Sequence, residues 1–392
     1  MPTSLKELFL ARRPLLGVDL GSHAIKLVEC SADHGGVAVR RVGTAATPAG
    51  AIDNGLVVEP QLVADTVREL LRATGAAPGS VASAVTDPSL VATRIPMPRT
   101  TEANLRRSIR FEARRHVPFD VDQSEIQCQI LDPAGTDEQM SVLLVAVRRE
   151  VVEGRVEALQ AAGLTPAIVD LVQFANLRSQ VYANSDPSIF DQTVGLIHLG
   201  HSFTEMTMVY RGAFVFPRIV PIAGQNMDRA IMSALNLDAE EARRLKESQA
   251  VACTREELAL LPEAQRQVSQ IITPVLEEIV RDIQRSLNFL ASQFQFDPAK
   301  GAVDRIVLSG GTARLRNLAQ YLATALNTRV EVFDIFYHTG LTAPGYDASF
   351  LAPLGPVCGV AAGLAITEIM QKGRYPVSGV PQSDAVPLPV AG

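Results

Sequence analysis

The chain is poor in the residues that mark a metal scaffold, a disulfide framework or a membrane span. It has four cysteines in 392 residues, Cys30, Cys128, Cys253 and Cys358, none of them in a C-x-x-C pair. That spacing argues against zinc and against stapling disulfides, and it matches a reducing cytosol. No apolar run approaches the roughly 18–20 residues of a membrane span. The N-terminus has no apolar h-region followed by a small-residue cleavage site, so no secretory signal is predicted. Positive charge is also in short supply: 36 Lys and Arg stand against 42 Asp and Glu, a net charge of −6. This argues against a dedicated nucleic-acid binder. The sequence therefore predicts a cytoplasmic protein. At 47% hydrophobic and 20% charged residues it reads as globular, with chain enough for two or more domains.

One stretch organises the rest, Gly17-Val18-Asp19-Leu20-Gly21-Ser22-His23-Ala24-Ile25-Lys26-Leu27-Val28-Glu29. Two apolar runs flank a small-residue turn, the pattern of a β-hairpin turned at Gly21 to Ala24. Backbone N–H groups at such a turn can face an anion, and Lys26 adds a point charge. Asp19, at the strand end, is placed to hold a hydrated Mg²⁺ against phosphates.

Beyond it, Val37 to Val42 reads as a strand and Gln61 to Thr74 as a helix with Leu62, Val63, Val67, Leu70 and Leu71 on one face. Val81 to Val85 is the next strand. A compact α+β insert then spans 86–165: an extended Leu90–Pro98 segment, a helix from Thr101 to His116, strands at Ser124–Leu131 and Met140–Val147, and a helix Val151–Ala162 closed by Gly163. In the first of these helices Arg106, Arg110 and Arg114 share a face, with Arg107 and Arg115 alongside. They form either a solvated face paired with Glu102 and Glu112, or a docking face for an acidic partner or lipid headgroups. Leu164–Val172 returns to the first sheet and Phe174–Ala183 is helical. Residues 1–14, with Leu5, Leu8, Phe9 and Leu10 beside Lys6, Arg12 and Arg13, read as a docked terminal turn or a weak surface anchor.

At Val194 the opening pattern returns. An apolar strand, a short polar turn with Gly200 and an alternating strand to Val209 are followed by a third strand, Ala213–Val220. Two such units about 180 residues apart suggest an internal duplication, two α/β halves gripping phosphates between their hairpins. Farther on come a long helix, about Gln267 to Phe294, containing Pro274, which kinks it or sets its true start, and a strand ending in Ser309-Gly310-Gly311-Thr312, where a ligand can approach the backbone closely.

DLGSHAIKLVE, HLGHSFTEMTMVYRG, PIAGQNMDRAI, EARRLK and RIVLSGGTARLRNL stand in the order and spacing of the actin-like ATPases. The insert LVATRIPMP…LRRSIRFEARRHVPFDVDQ resembles the small subdomain of the PilM-like type IV pilus assembly proteins, relatives of the division protein FtsA. The similarity runs from about Leu15 to Lys372. It implies an α/β actin-like (ribonuclease H-like, duplicated) fold, two lobes around a nucleotide cleft. The first lobe would take 15–85 and 166–190, with the insert at 86–165. The second would take 191–225 and 301–354 with a helical subdomain at 226–300. A hinge helix (355–372) and a disordered tail (373–392) would follow. The resemblance further implies binding of ATP or ADP with Mg²⁺, and of the cytoplasmic N-terminal tail of a PilN-like membrane protein. It implies a peripheral place at the inner membrane beside other pilus and motor components in twitching motility, and self-association is open. By position, Asp19, Gly21, Ser22, His23 and Lys26 would form the first phosphate loop. Gly200, His201, Ser202 and Thr204 would form the second, Ser309, Gly310, Gly311 and Thr312 the adenosine loop, and Gly224 and Lys246 the nucleoside wall.

Two positions depart from the family pattern. His198 stands where the second loop usually begins with Asp, and a neutral imidazole is a poor Mg²⁺ ligand. Arg243 stands where a Glu often contacts the nucleoside, with Glu240 or Glu241 as substitutes. The expectation is a nucleotide-binding scaffold with slow or absent hydrolysis. An active ATPase or small-molecule kinase, using Asp19 or Asp170, is the alternative; an FtsA-like membrane polymer is disfavoured by the proline-rich tail, which cannot form an amphipathic helix.

Overall fold

A computed structural model describes residues 15–33, 36–131, 137–294 and 302–371. The readings of 1–14 as an anchor and of 373–392 as a disordered tail fall outside these residues.

β1 (Leu16–Leu20) is buried along its whole length, as expected of a strand flanked on both sides and covered on both faces. It turns into β2 (Ala24–Asp33), which pairs with β3 (Gly36–Ala46). A two-stranded ribbon, β4 (Ile52–Asp53) and β5 (Leu56–Val57), precedes α1 (Pro60–Thr74). Pro60 starts α1, and Gly75 ends it in the left-handed conformation at φ 68°. Val63, Val67, Leu70 and Leu71 face the core. Leu62, expected with them, is 44% exposed; at 3.6 residues per turn it lies about 100° round the helix from Val63.

After β6 (Ser80–Val85) the insert forms β7 (Val91–Pro98), α2 (Glu102–Ala113), β8 (Ser124–Ile130) and β9 (Gln139–Arg148). The extended Leu90–Pro98 segment is thus a true strand, and the insert's sheet has the order β7-β9-β8. Thr101 caps α2 by accepting a hydrogen bond from the Asn104 amide at 3.3 Å. Leu105, Ile109 and Ala113 pack α2 onto Met140, Val142 and Leu144. The arginine face of α2 is a paired one. Arg106 reaches Glu102 at 2.7 Å, Arg115 reaches Glu112 at 3.4 Å, Arg114 reaches Asp122 at 3.4 Å, and Arg110 donates to the Val121 carbonyl at 2.7 Å.

α3 (Arg149–Ala161) follows β9 directly. The sequence reading places it in the insert, but its Ala158 and Leu159 pack with Val63 and Val67 of α1 in the first lobe. β10 (Thr165–Leu171) then pairs parallel with β6, and α4 (Val172–Leu177) continues as a wider π-turn through Tyr182.

The second half repeats this plan with β11 (Thr193–Leu199), β12 (Thr204–Tyr210), β13 (Ala213–Val220), helices α5 (Gly224–Leu235), α6 (Ala239–Gln249) and α7 (Glu263–Phe294), β14 (Arg305–Ser309), α8 (Leu318–Leu326) and β15 (Arg329–Val332). Pro274 lies inside α7, so it does not set the helix start. The first sheet runs β3-β2-β1-β6-β10 and the second β13-β12-β11-β14-β15. Each has two antiparallel pairs followed by two parallel ones. The duplication read from the hairpins is therefore a duplication of topology.

The chain finally returns to the first lobe. β16 (Leu341–Thr342) adds to β3, and α9 (Gly359–Ala365), buried at every residue, packs on β1 and α4. A Cβ on Gly17 would lie 1.9 Å from the Ala361 carbonyl oxygen, and one on Gly363 1.9 Å from that of Ala175. The small-residue helix expected as a hinge is thus a tightly seated part of the first lobe.

Candidate functional site

The two hairpins face each other across a cavity of about 510 Å³ between the lobes. β1 pairs with β2 so that Asp19 lies directly opposite Lys26; β11 pairs with β12 so that His198 lies directly opposite Glu205. These four side chains occupy equivalent places in the two halves, and all four line the cleft.

Lys26 Nζ donates to Asp19 Oδ2 at 3.0 Å, and both side chains are largely buried. His198 Nδ1 shares a hydrogen bond of 3.1 Å with Ser309 Oγ, its neighbour on β14. Ser309 in turn accepts from Gln180 Nε2 at 3.0 Å, which ties the two lobes together. Desolvation lowers the His198 imidazole to about 4, so it is neutral near pH 7. Glu205 is the reverse case. It is 4% exposed, its Oε1 has no hydrogen-bond partner, and burial pushes its carboxyl up to about 8. Arg155 forms part of the cleft floor and is otherwise enclosed, donating to the Ala84 carbonyl at 2.9 Å and to the Gly55 carbonyl. Its burial brings the guanidinium down to about 10.

At the turns the lobes touch. Ser22 Oγ and Ser202 Oγ are 2.7 Å apart, and the rings of His23 and His201 face each other at 5.2 Å. Burial lowers both imidazoles, His201 to about 4. Nearby, Lys246 pairs with Asp228 at 2.8 Å and donates to the Gly224 carbonyl at 3.3 Å. The second turn is anchored from behind: the Gly200 carbonyl accepts from Thr312 Oγ1 at 2.7 Å and from the Gly224 amide at 3.3 Å. Gly310 sits at φ 92°, where a Cβ would lie 2.4 Å from the Leu199 carbonyl oxygen. The adenosine-type loop and the second hairpin are thus one packed unit.

Asp19, Gly21, Ser22, His23, Lys26, Gly200, His201, Ser202, Lys246, Gly311 and Thr312 all line the cleft. Four others support it from behind. Thr204 is buried and donates to the Ile222 carbonyl at 2.6 Å. Ser309 and Gly310 lie under the loop, and Gly224 braces Gly200. Asp170 is not at the cleft: it pairs with Arg178, whose Nε donates to the Gly363 carbonyl at 2.9 Å. The substitutes for a nucleoside-side Glu do not serve either. Glu240 pairs with Arg244, Glu241 caps α6, and Arg243 stays off the cleft lining, which takes Glu247 instead.

Sequence reasoning missed Glu205, Arg155, Arg314 and Arg316. Glu205 was legible from pairing, since counting back from the turn sets it opposite His198. Arg155 was legible as a cation four residues from both Val151 and Leu159 on the core face of α3. Basic side chains lining the cleft (Lys26, Arg155, Lys246, Arg314, Arg316) outnumber acidic ones (Asp19, Glu205, Glu247) five to three, and Glu205 keeps its proton at pH 7. The cleft lining thus carries more basic than acidic side chains although the chain as a whole has a net charge of −6. Among the described residues no group of three or more His, Cys, Asp or Glu is placed to hold a metal ion.

Residues 17–369 match the type IV pilus assembly protein PilM family. The chain belongs to that family. Its structure is similar to that of a PilM-PilN type IV pilus biogenesis complex, at TM-score 0.78 and 26% identity over 91% of this chain and 98% of the other. It also resembles the ethanolamine utilization protein EutJ from Carboxydothermus hydrogenoformans, at TM-score 0.52 and 17% identity over 92% and 95% of the two chains. MreB5 of Spiroplasma citri bound to ADP matches at TM-score 0.50 and 13% identity over 93% and 98%. The fold is actin-like, as the motif order predicts. Among the described residues no helix is long and apolar enough to cross a membrane.

Proposed function

We propose that this PilM-family protein is a nucleotide-binding scaffold of type IV pilus assembly that engages the cytoplasmic tail of a PilN-like membrane protein. It would work in the cytoplasm, held at the inner membrane through that partner. The observation that carries the nucleotide reading is the cleft itself: paired glycine turns, lysines from both lobes and a net positive lining. ATP or ADP would lie with its phosphates between the hairpins and its nucleoside toward Lys246 and Thr312. Hydrolysis would be slow or absent. The two hairpin carboxylates that line the cleft are poorly placed to polarise a water, because Asp19 is bound to Lys26 and burial holds Glu205 toward its protonated form. For the partner, β7 and β8 are the outer strands of the insert's sheet and have no further strand neighbour among the described residues, which suits strand addition by an extended peptide.

Nucleotide and peptide couple if the closed arrangement, with Ser22 on Ser202, binds both better than an open one. The test is calorimetric titration with ADP, then with a synthetic PilN tail peptide on the ADP-loaded and the free protein. Binding of both ligands, with the peptide tighter on the loaded protein, is expected. Peptide affinity that ignores ADP would remove the coupling, and no peptide binding would remove the partner.

A further inference from the structure

The fold family implies a Mg²⁺ ion between the phosphates and the hairpin carboxylates, and the side chains present do not fit one. Mg²⁺ takes hard oxygen ligands and is usually held by one or two carboxylates together with substrate phosphates. Asp19, the carboxylate of the first hairpin, already has an ammonium at 3.0 Å, so its charge is compensated and a second cation beside Lys26 would be repelled. On the second hairpin the equivalent position is His198, an imidazole whose Nδ1 is committed to Ser309. Opposite it stands Glu205, enclosed by protein with Oε1 unpartnered, facing the cleft. Around Glu205 are the Thr86 hydroxyl, Asp19 on β1, Lys26 on β2, His198 on β11 and Arg155 on α3. Relative to the first half, the second has exchanged an acid–base pair for a neutral base and a buried acid.

We propose that this cleft holds nucleotide phosphates without a divalent cation, the lining arginines Arg314 and Arg316 supplying the countercharge and Lys26 and Lys246, each already paired with a carboxylate, adding N–H donors. The proposal rests on the nucleotide reading above and adds to it the source of positive charge. Lys26 and Lys246 come from opposite lobes, so phosphates set between them would contact both lobes. Glu205 contributes by staying neutral, since an ionised carboxylate there would face the phosphates.

The test is calorimetric titration of the full chain with ADP at pH 7, once in Mg²⁺ and once in EDTA. The expected result is a Kd that agrees within about threefold between the two buffers. A loss of about tenfold or more in EDTA would overturn the proposal while leaving the nucleotide reading intact. Absence of binding in both buffers would overturn both. A His198→Asp variant, checked for folding by thermal melting, restores an ionisable oxygen ligand on the second hairpin. It is expected to bind ADP about tenfold more tightly in Mg²⁺ than in EDTA; a folded variant with no Mg²⁺ response would contradict the assignment. The wild-type pair of titrations decides the matter even if the variant does not fold.

Discussion

The first hairpin sets Asp19 across from Lys26, and the second sets His198 across from Glu205. The strands, turns and sheet positions correspond, yet the chemistry does not. On the first hairpin the acid and the base satisfy each other as an ion pair at 3.0 Å. On the second both are neutral near pH 7, because burial favours the uncharged form of each: it lowers a base and raises an acid. A duplicated frame can thus keep its geometry while one copy loses the charge that would do chemistry, since the frame is held by apolar strands and the charge by single side chains.

The largest test of this contrast is Lys26→Ala. It leaves Asp19 buried without its partner and should destabilise the fold by about 3 kcal/mol in denaturant titration. An effect below about 1 kcal/mol would mean that the pair is not the buried unit described.

Glu205→Gln should act with the opposite sign. A carboxyl whose folded value is raised from 4.5 to about 8 binds a proton that the unfolded chain releases, so its contribution to stability is lost as pH rises from 4.5 toward 8. Removing that loss should stabilise the protein by about 2 kcal/mol at pH 7, with the gain growing at up to about 1.4 kcal/mol per pH unit across that window. A gain independent of pH would refute the protonated state.

The histidines govern the acid side. His198 and His201, lowered from 6.5 to about 4, give stability that is full above pH 6.5 and lost as pH falls toward 4. His198→Asn should reduce that loss by about 1–2 kcal/mol, read from melts at pH 7 and pH 4. The smallest effect belongs to the contact between lobes. Ser22→Ala removes one partly exposed hydrogen bond and should cost under about 1 kcal/mol, with a similar coupling to Ser202→Ala in a double-mutant cycle.

Much of the fold was legible because its signals are local. Apolar alternation with a small-residue turn marked both hairpins, and Gly310-Gly311 after an apolar strand marked the third loop. What was not legible depends on contacts distant in sequence. That α3 belongs to the first lobe follows from its packing on α1, and that α9 seats on β1 follows from a glycine at 17 meeting Ala361. At the site, position along the strands was readable, but not which groups had already found partners. Asp19 looked free for a metal until Lys26 was seen bonded to it. Asp170 looked close to the cleft until it was seen paired with Arg178. Thr204 matched a phosphate-loop pattern, yet its hydroxyl is spent on Ile222.

The proposed scaffold holds nucleotide in the cleft and does not efficiently cleave it. Phosphate release from ATP, measured on protein shown by calorimetry to be saturated, tests this most directly. Turnover far below the typical enzyme range, less than about one per minute, is expected; release at about one per second or faster would overturn the scaffold reading.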